Sequence, residues 1–158
     1  MPDMKITVYA FGKMKTKFWL AACNEFAKRL QHYVSFELKE LKDSRFNEKN
    51  SSSAIEDESA RLLSMIPSTT FFVALDGSGS QFSSLQFARF FEEKQNFGPA
   101  EIAFAIGGAF GFSQAVLQRA DLVLSLSQMT FPHELARVIL FEQIYRAFTI
   151  LRGEKYHK

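Results

Sequence analysis

The chain has 158 residues, 47% hydrophobic and 23% charged, which fits one domain and excludes a disordered or low-complexity protein. The formal net charge of only +2 argues against binding of nucleic acid through bulk charge. A single cysteine excludes a disulfide framework. Because we find neither a signal-peptide pattern nor a long apolar run, we expect a cytoplasmic protein with no membrane segment.

The basic residues are concentrated at the two ends. Residues 1–30 carry six Lys or Arg against two Asp or Glu, and residues 146–158 carry four against one. Residues 31–145 carry nine against fourteen. This asymmetry favours a polyanionic partner bound at a local site, although basic ends that are merely solvated would give the same counts.

Apolar periodicity in the first half predicts, in chain order, a strand over 5–10, a helix over 18–31, a strand over 34–41, a polar loop over 42–53 and a helix to about residue 66. Ser53 and Glu56 fit a capping box for the second helix.

The second half predicts strands over 70–75, 101–106 and 122–126, a turn over 76–80, and helices over 83–95, 113–120 and 132–151. Ser83 and Gln86 fit a capping box, Ser113 fits a cap, and Pro132 suits the first turn of the last helix. The alternation of strands and helices predicts an α/β fold, a mostly parallel sheet with helices on both faces.

The last helix is apolar in nearly every direction, which indicates burial on more than one side. We therefore predict a homodimer with a two-fold axis, formed through this helix. The alternative is a helix buried wholly within one chain.

Two loops at the carboxyl ends of predicted strands are candidates for one ligand pocket. Gly107, Gly108 and Gly111 would let a ligand approach the backbone closely, and the absence of Lys and Arg from this loop disfavours a nucleoside triphosphate. An adenosine joined to a sulfonium amino acid would be compatible. The second loop covers residues 126–131 and leads into Pro132-His133. Ordinary turns would show the same residues.

The remaining candidates lie near the C-terminus. Glu142 and Arg146 are four residues apart on a helix and so are neighbours on its surface. They lie either at an interface or cleft, or in solvent as an ordinary ion pair. Residues 152–158 form a basic tail with one aromatic and one histidine, for which a frayed end is the alternative. No spacing of His, Asp or Glu suggests a bound metal.

IGGAFG at 106–111, the block SLSQMTFPHELARV with its continuation to residue 158, and MKITVYAFGKMK at 4–15 carry a family resemblance. The chain resembles the bacterial ribosomal RNA large subunit methyltransferase H family, within the SPOUT superfamily, from residue 4 to residue 158. Ala109 and Phe110 differ from the small or polar residues that the family more often has between these glycines.

The resemblance implies one SPOUT methyltransferase domain over residues 1–158 with a C-terminal trefoil knot, and a homodimer. It implies methyl transfer from S-adenosyl-L-methionine to N3 of a pseudouridine in 23S rRNA of assembled ribosomes. By position, it places cofactor contacts at Leu75, Gly107, Leu126, Ser127, Gln128, Met129, Thr130 and Phe131.

From the chemistry of this reaction we hypothesise that Arg146 stabilises negative charge on the base and that Glu142 orients Arg146. His157 or water would take the N3 proton, and Tyr156 would stack on or hydrogen-bond the flipped base. The tail would act in the partner chain's pocket. Phosphates would be held by Arg152, Lys155 and Lys158.

Two rival functions stay open at this stage. A nucleotide-binding α/β protein would use the same glycine loop for ATP or NAD. A ribosome-docking factor without catalysis would use the basic ends alone.

Overall fold

The computed structural model describes residues 4–43, 51–108 and 111–158. Most of the predicted loop over 42–53, and both Ala109 and Phe110 of the glycine loop, lie outside the described residues. The described elements are β1 (Lys5–Phe11), α1 (Lys17–Leu30), β2 (Ser35–Leu41), α2 (Ser51–Met65), β3 (Phe71–Gln81), α3 (Ser84–Phe97), β4 (Glu101–Ile106), α4 (Gln114–Arg119), β5 (Leu122–Ser125) and α5 (His133–Leu151).

The described strands form one parallel sheet in the order β2-β1-β4-β3-β5. Because these strands run in the same direction, their carboxyl ends share one edge, where the loops after β1, β3, β4 and β5 meet. The predicted α/β class with a mostly parallel sheet is confirmed. The strand order does not decide whether the chain is knotted, so the trefoil knot stays a prediction.

Helices cover both faces of the sheet, as predicted. On one face α1, α3 and α5 build the larger core, in which Phe91 of α3 lies 5.0 Å from Phe148 of α5 between ring centroids. On the other face α2 and α4 contribute Leu62 and Val116 to a second core around Phe72. The two cores hold the sheet rigidly, so its carboxyl edge is a firm support for a site.

Helix α5 lies between α1 and α3 and also contacts the sheet. Its side chains Leu140, Phe141, Ile144 and Phe148 are buried within the chain. Packing inside one chain therefore accounts for much of the helix's apolar character, while Ile139 on another face is only half-buried. The homodimer through this helix stays a prediction.

Two local predictions, for the start of α2 and for residues 76–80, are wrong. Helix α2 already begins at Ser51, so Ser53 lies inside the helix and does not cap it. Residues 76–80 were expected to form a simple turn, but β3 continues to Gln81. The pairing of β3 with β5 is interrupted there. Leu75 and Ser80 both lie opposite Leu124 of β5, so the residues between them have no partner on β5. By contrast, the capping box of Ser83 with Gln86 and the Ser113 cap are confirmed.

An ion pair between a buried arginine and a partly exposed glutamate ties α5 to the sheet. Arg137 is 1% exposed, and its Nη1 lies 2.7 Å from Oε2 of Glu40 on β2, while its Nη2 donates to the Gly12 carbonyl at 3.2 Å. Removing the carboxylate would leave a buried guanidinium without its counter-charge.

Glu40→Ala is therefore expected to lower the free energy of unfolding by about 2 kcal/mol, measured by urea denaturation, because the buried Arg137 loses its charged partner but keeps its bond to the Gly12 carbonyl. Glu37→Ala is the matched control, since Glu37 lies on the same strand and pairs with Lys5 at 3.6 Å in an exposed setting. That pair is worth less than about 1 kcal/mol. Equal losses in the two variants would contradict a stabilising role for the pair of Arg137 with Glu40.

Candidate active site

A cavity of about 530 Å³ opens at the carboxyl edge of the sheet. Its size is within the usual range for small-molecule sites. Its wall is formed by residues 75–77 within β3, by the loops after β4 and β5, and by the first turn of α5. All eight residues predicted to contact a cofactor line it: Leu75, Gly107, Leu126, Ser127, Gln128, Met129, Thr130 and Phe131.

The glycine loop is close-packed on both sides. A Cβ at Gly107 would lie 3.3 Å from the backbone carbon of Gly111, and a Cβ at Gly108 would lie 2.6 Å from Oε1 of the buried Glu58. From α2, the Ser59 hydroxyl also accepts a hydrogen bond from the Ser113 amide at 3.2 Å. A side chain at Gly107 or Gly108 would therefore force its neighbours to shift, and Gly111 is favoured as glycine by its φ of +83°.

The loop over 126–131 is fixed by hydrogen bonds of its own serines. The Ser125 hydroxyl donates to the Ser127 carbonyl at 2.9 Å, and the Ser127 hydroxyl accepts from the Met129 amide at 3.0 Å. These bonds make a compact turn whose residues line the cavity. The loop then enters α5 at Pro132, which occupies the cap position just before the helix and not its first turn.

The charge of the cavity wall suits a cationic ligand. Lys and Arg are absent from the described part of the wall, and Asp76 contributes a carboxylate. That carboxylate accepts a hydrogen bond from the Ser78 amide at 3.0 Å, which fixes its position. A phosphate group would find no cation here, whereas a sulfonium or ammonium group would be attracted. The wall therefore fits the predicted S-adenosylmethionine better than ATP or NAD.

The four predicted catalytic residues form one cluster on α5 and the tail. Oε1 of Glu142 accepts hydrogen bonds from Arg146 Nε at 2.8 Å and from the Tyr156 hydroxyl at 3.1 Å. Nη1 of Arg146 lies 3.1 Å from Nδ1 of His157, and its guanidinium carbon lies 4.8 Å from the Tyr156 ring centroid. Burial and the Glu142 carboxylate raise the pKa of the Tyr156 phenol, so Tyr156 stays protonated at neutral pH.

The tail is folded back on the helix, so the frayed end considered above is wrong. Gly153, with φ +67°, ends α5 and turns the chain. The Tyr33 hydroxyl then donates to the Glu154 carboxylate at 2.9 Å, and the Arg152 guanidinium lies 4.4 Å from the Tyr33 ring centroid. Lys155 and Lys158, predicted like Arg152 to bind phosphate, are exposed.

The tail cluster does not border the cavity of its own chain. None of Glu142, Arg146, Tyr156 and His157 is among the described residues that line the cavity. Ala136 is the last lining residue of α5, and Arg146 follows ten residues later, about 15 Å along the helix axis. The structure thus brings together the predicted cofactor residues, and separately the predicted catalytic residues.

Sequence reasoning missed Asp76, Gly77 and Ala136 in the cavity wall. Asp76 had a usable signal, because it directly follows Leu75 at the end of a buried strand. The described residues bring no three His, Cys, Asp or Glu side chains together as metal ligands. In the same part of the chain, no helix combines the length and apolar character needed to cross a bilayer.

Comparison with known proteins agrees with this geometry. A family model described as "Predicted SPOUT methyltransferase" matches residues 4–157. The chain belongs to the SPOUT methyltransferase family. The cavity walled by the glycine loop and the 126–131 loop is thus the candidate active site of a SPOUT methyltransferase.

Three relatives of this SPOUT methyltransferase are each named ribosomal RNA large subunit methyltransferase H. The protein of Carboxydothermus hydrogenoformans is 43% identical, that of Clostridium acetobutylicum 45%, and that of Clostridium kluyveri 43%. Each comparison covers 98% of this chain and the whole of the relative. The resemblance noted in the sequence is confirmed.

Proposed function

We propose that this chain is a single-domain, S-adenosylmethionine-dependent methyltransferase that modifies N3 of a pseudouridine in 23S rRNA of the large ribosomal subunit. It would act in the cytoplasm, on the assembled ribosome. The observation that carries the proposal is the cavity at the carboxyl edge of the sheet. It is lined by the glycine loop and by the carboxylate of Asp76, and the described part of its wall has no Lys or Arg.

The substrate is inferred from the relatives. Proteins that match this chain from end to end carry the name of a large-subunit rRNA methyltransferase. The excess of Lys and Arg in residues 146–158 agrees with an RNA substrate, because phosphate contacts need cations at the site.

When bound, the cofactor supplies an activated methyl group on a sulfonium sulfur. The chain's own loops would hold that methyl in line with N3, and such alignment is worth up to ~7–11 kcal/mol of the barrier. To accept the methyl group, N3 of the base would have to give up its proton. Negative charge develops on the flanking carbonyls of the base during this step.

The tail cluster has the groups that this reaction needs. Arg146 can donate hydrogen bonds to a base carbonyl, and Glu142 holds its Nε at 2.8 Å. The protonated Tyr156 offers a hydroxyl and a ring face for the flipped base. His157 or water would receive the N3 proton. Phosphates would contact Arg152, Lys155 and Lys158.

We propose that the tail cluster serves the cavity of a second copy in a homodimer. About 15 Å of α5 separates Arg146 from the cavity wall of its own chain, which is too far for direct transfer. A two-fold axis beside α5 would bring one chain's tail to the other chain's cavity. The half-buried Ile139 lies on the part of α5 available for such a contact.

The deciding experiment uses ribosomes from a strain that lacks this protein, incubated with the protein and cofactor labelled in its methyl group. We expect label in 23S rRNA, and nucleoside mapping should place it on N3 of one pseudouridine. Label in a different nucleoside would contradict the proposed target. Absence of label, together with calorimetric binding of ATP or NAD, would favour the nucleotide-binding alternative.

A further inference from the structure

A row of exposed lysines lies beside the cofactor cavity and has no part in the mechanism above. Lys13, Lys15 and Lys17 are exposed, and the residues between them turn inward. Met14 packs against the larger core, and Thr16 is half-buried. The alternation therefore presents all three ammonium groups on the outside, and we call these three residues the lysine row.

The fold places the lysine row next to the glycine loop. The row follows β1, and β1 is paired in parallel with β4, with Tyr9 opposite Ala105. Neighbouring parallel strands end at the same edge, so the segment after β1 and the loop after β4 leave the sheet side by side. The row thus lies at the rim where a substrate must approach the cofactor.

Glu134 holds the row in this position. Its Oε1 accepts hydrogen bonds from the Lys15 amide at 2.7 Å and the Thr16 amide at 3.1 Å, and its Oε2 accepts from the Thr16 hydroxyl at 3.0 Å. These bonds lower the pKa of the Glu134 carboxyl, so it stays ionised. Glu134 directly follows His133 of the cavity wall. It therefore links the row to the cofactor loop, by which we mean the 126–131 loop that leads into α5.

Gly12 fixes the other end of the segment. Its amide donates to the Leu41 carbonyl at 2.7 Å, and its carbonyl accepts from the buried Arg137 at 3.2 Å. The backbone is therefore anchored at Gly12, before the first lysine, and again at Lys15 and Thr16 within the row. Their amines are unpaired, because no carboxylate of the described residues forms a salt bridge with any of them, whereas Lys5 pairs with Glu37.

We propose that the lysine row binds backbone phosphates of the ribosomal RNA beside the target nucleotide, with Glu134 as the positioning residue. This inference rests on the proposed function. RNA is favoured over other polyanions because the row borders the cavity that the target base must reach. Phe18, which follows the row and is 65% exposed, offers a stacking surface for an unpaired base.

The test compares two triple variants with the same loss of charge. The first, K13Q/K15Q/K17Q, removes the lysine row. The control, K5Q/K28Q/K94Q, removes lysines at the start of β1 and in the last turns of α1 and α3, at the opposite edge of the sheet. KM for ribosomes and kcat are measured between 50 and 200 mM salt, with cofactor affinity by calorimetry.

We expect the row variant to raise KM for ribosomes at low salt and to lose much of the salt dependence. Each lost phosphate contact removes about 0.7–0.9 from the slope of log affinity against log salt. When the salt concentration rises fourfold, the affinity of the wild-type protein for ribosomes should fall by about 20- to 40-fold more than that of the row variant. The control variant should keep the wild-type slope, and cofactor affinity should be the same in all three proteins.

Glu134→Ala tests the positioning role. It should raise KM for ribosomes while kcat at saturating ribosomes stays near the wild-type value, because the lysines remain but are no longer held at the rim. An equal fall in kcat and cofactor affinity would instead indicate damage to the cofactor loop and would contradict this role.

The outcomes separate this inference from the proposed function. If the wild-type protein does not methylate ribosomes, the proposed function fails. If it does so and the row variant matches the control in KM and salt slope, the inference alone is overturned. Binding to phosphatidylserine vesicles that is lost in the row variant, with unchanged KM for ribosomes, would assign the row to a membrane surface and also overturn it.

Discussion

Deletion of residues 156–158 is expected to abolish methyl transfer to ribosomes while the cofactor still binds. The deletion removes the Tyr156 hydroxyl from Glu142 and the His157 ring from Arg146, and so dismantles the proposed catalytic cluster. Loss of positioned acid–base groups costs about 10²–10⁴-fold in rate. The cavity wall is untouched by the deletion, so calorimetry should give an unchanged cofactor affinity.

Single substitutions show which part of the tail matters. Tyr156→Phe keeps the ring and removes the hydroxyl, and His157→Gln keeps a hydrogen-bonding side chain that cannot carry the proton. Lys155→Gln is a control for the loss of one positive charge from the same segment. Full activity of the deletion variant would reject a catalytic role for the tail.

Gly107→Arg is expected to weaken cofactor binding by about 100-fold or more and thereby to stop methylation. A Cβ at this position already lies 3.3 Å from the Gly111 backbone, and the rest of an arginine side chain would enter the cavity. Overpacking costs about 1–3 kcal/mol, and the guanidinium would also repel a sulfonium cation. Calorimetric titration with S-adenosylmethionine measures the effect.

A graded series at Gly107 separates size from charge. Gly107→Ala should weaken binding least, Gly107→Leu should show the cost of bulk, and any further loss in Gly107→Arg should come from charge. Ribosome binding should survive in all three variants, because the lysine row and the tail are unchanged. Unaltered cofactor affinity in Gly107→Arg would show that the cofactor lies elsewhere.

The sequence predicted the fold well wherever local pattern and long-range packing agree. The buried runs of β3 and β4 were found from their apolar residues, and the capping box of Ser83 with Gln86 fixed the start of α3. The prediction of a simple turn over 76–80 was wrong because the glycines and serines there are typical of turns. In the structure, pairing with β5 resumes at Ser80 and carries the strand through to Gln81.

The candidate site was predictable where its residues follow strands in the chain. Gly107 and the 126–131 loop were placed at one pocket because parallel strands end at one edge. The hydrogen bonds that Thr16 donates to Glu134 and that Arg137 donates to Glu40 join residues 97 or more positions apart. Spacing along the chain carries no signal for such contacts, so only the three-dimensional structure could show them.

In the proposed reaction, the contact between Arg146 and His157 would set an order of events. An arginine can only donate hydrogen bonds, so Nδ1 of His157 must present its lone pair to Arg146, and the neutral ring then carries its hydrogen on Nε2. In that arrangement the imidazole has no free lone pair with which to accept a proton. In the proposed reaction Arg146 would first turn this N–H from Nδ1 to a carbonyl of the incoming base, which would free the lone pair of Nδ1 to receive the N3 proton.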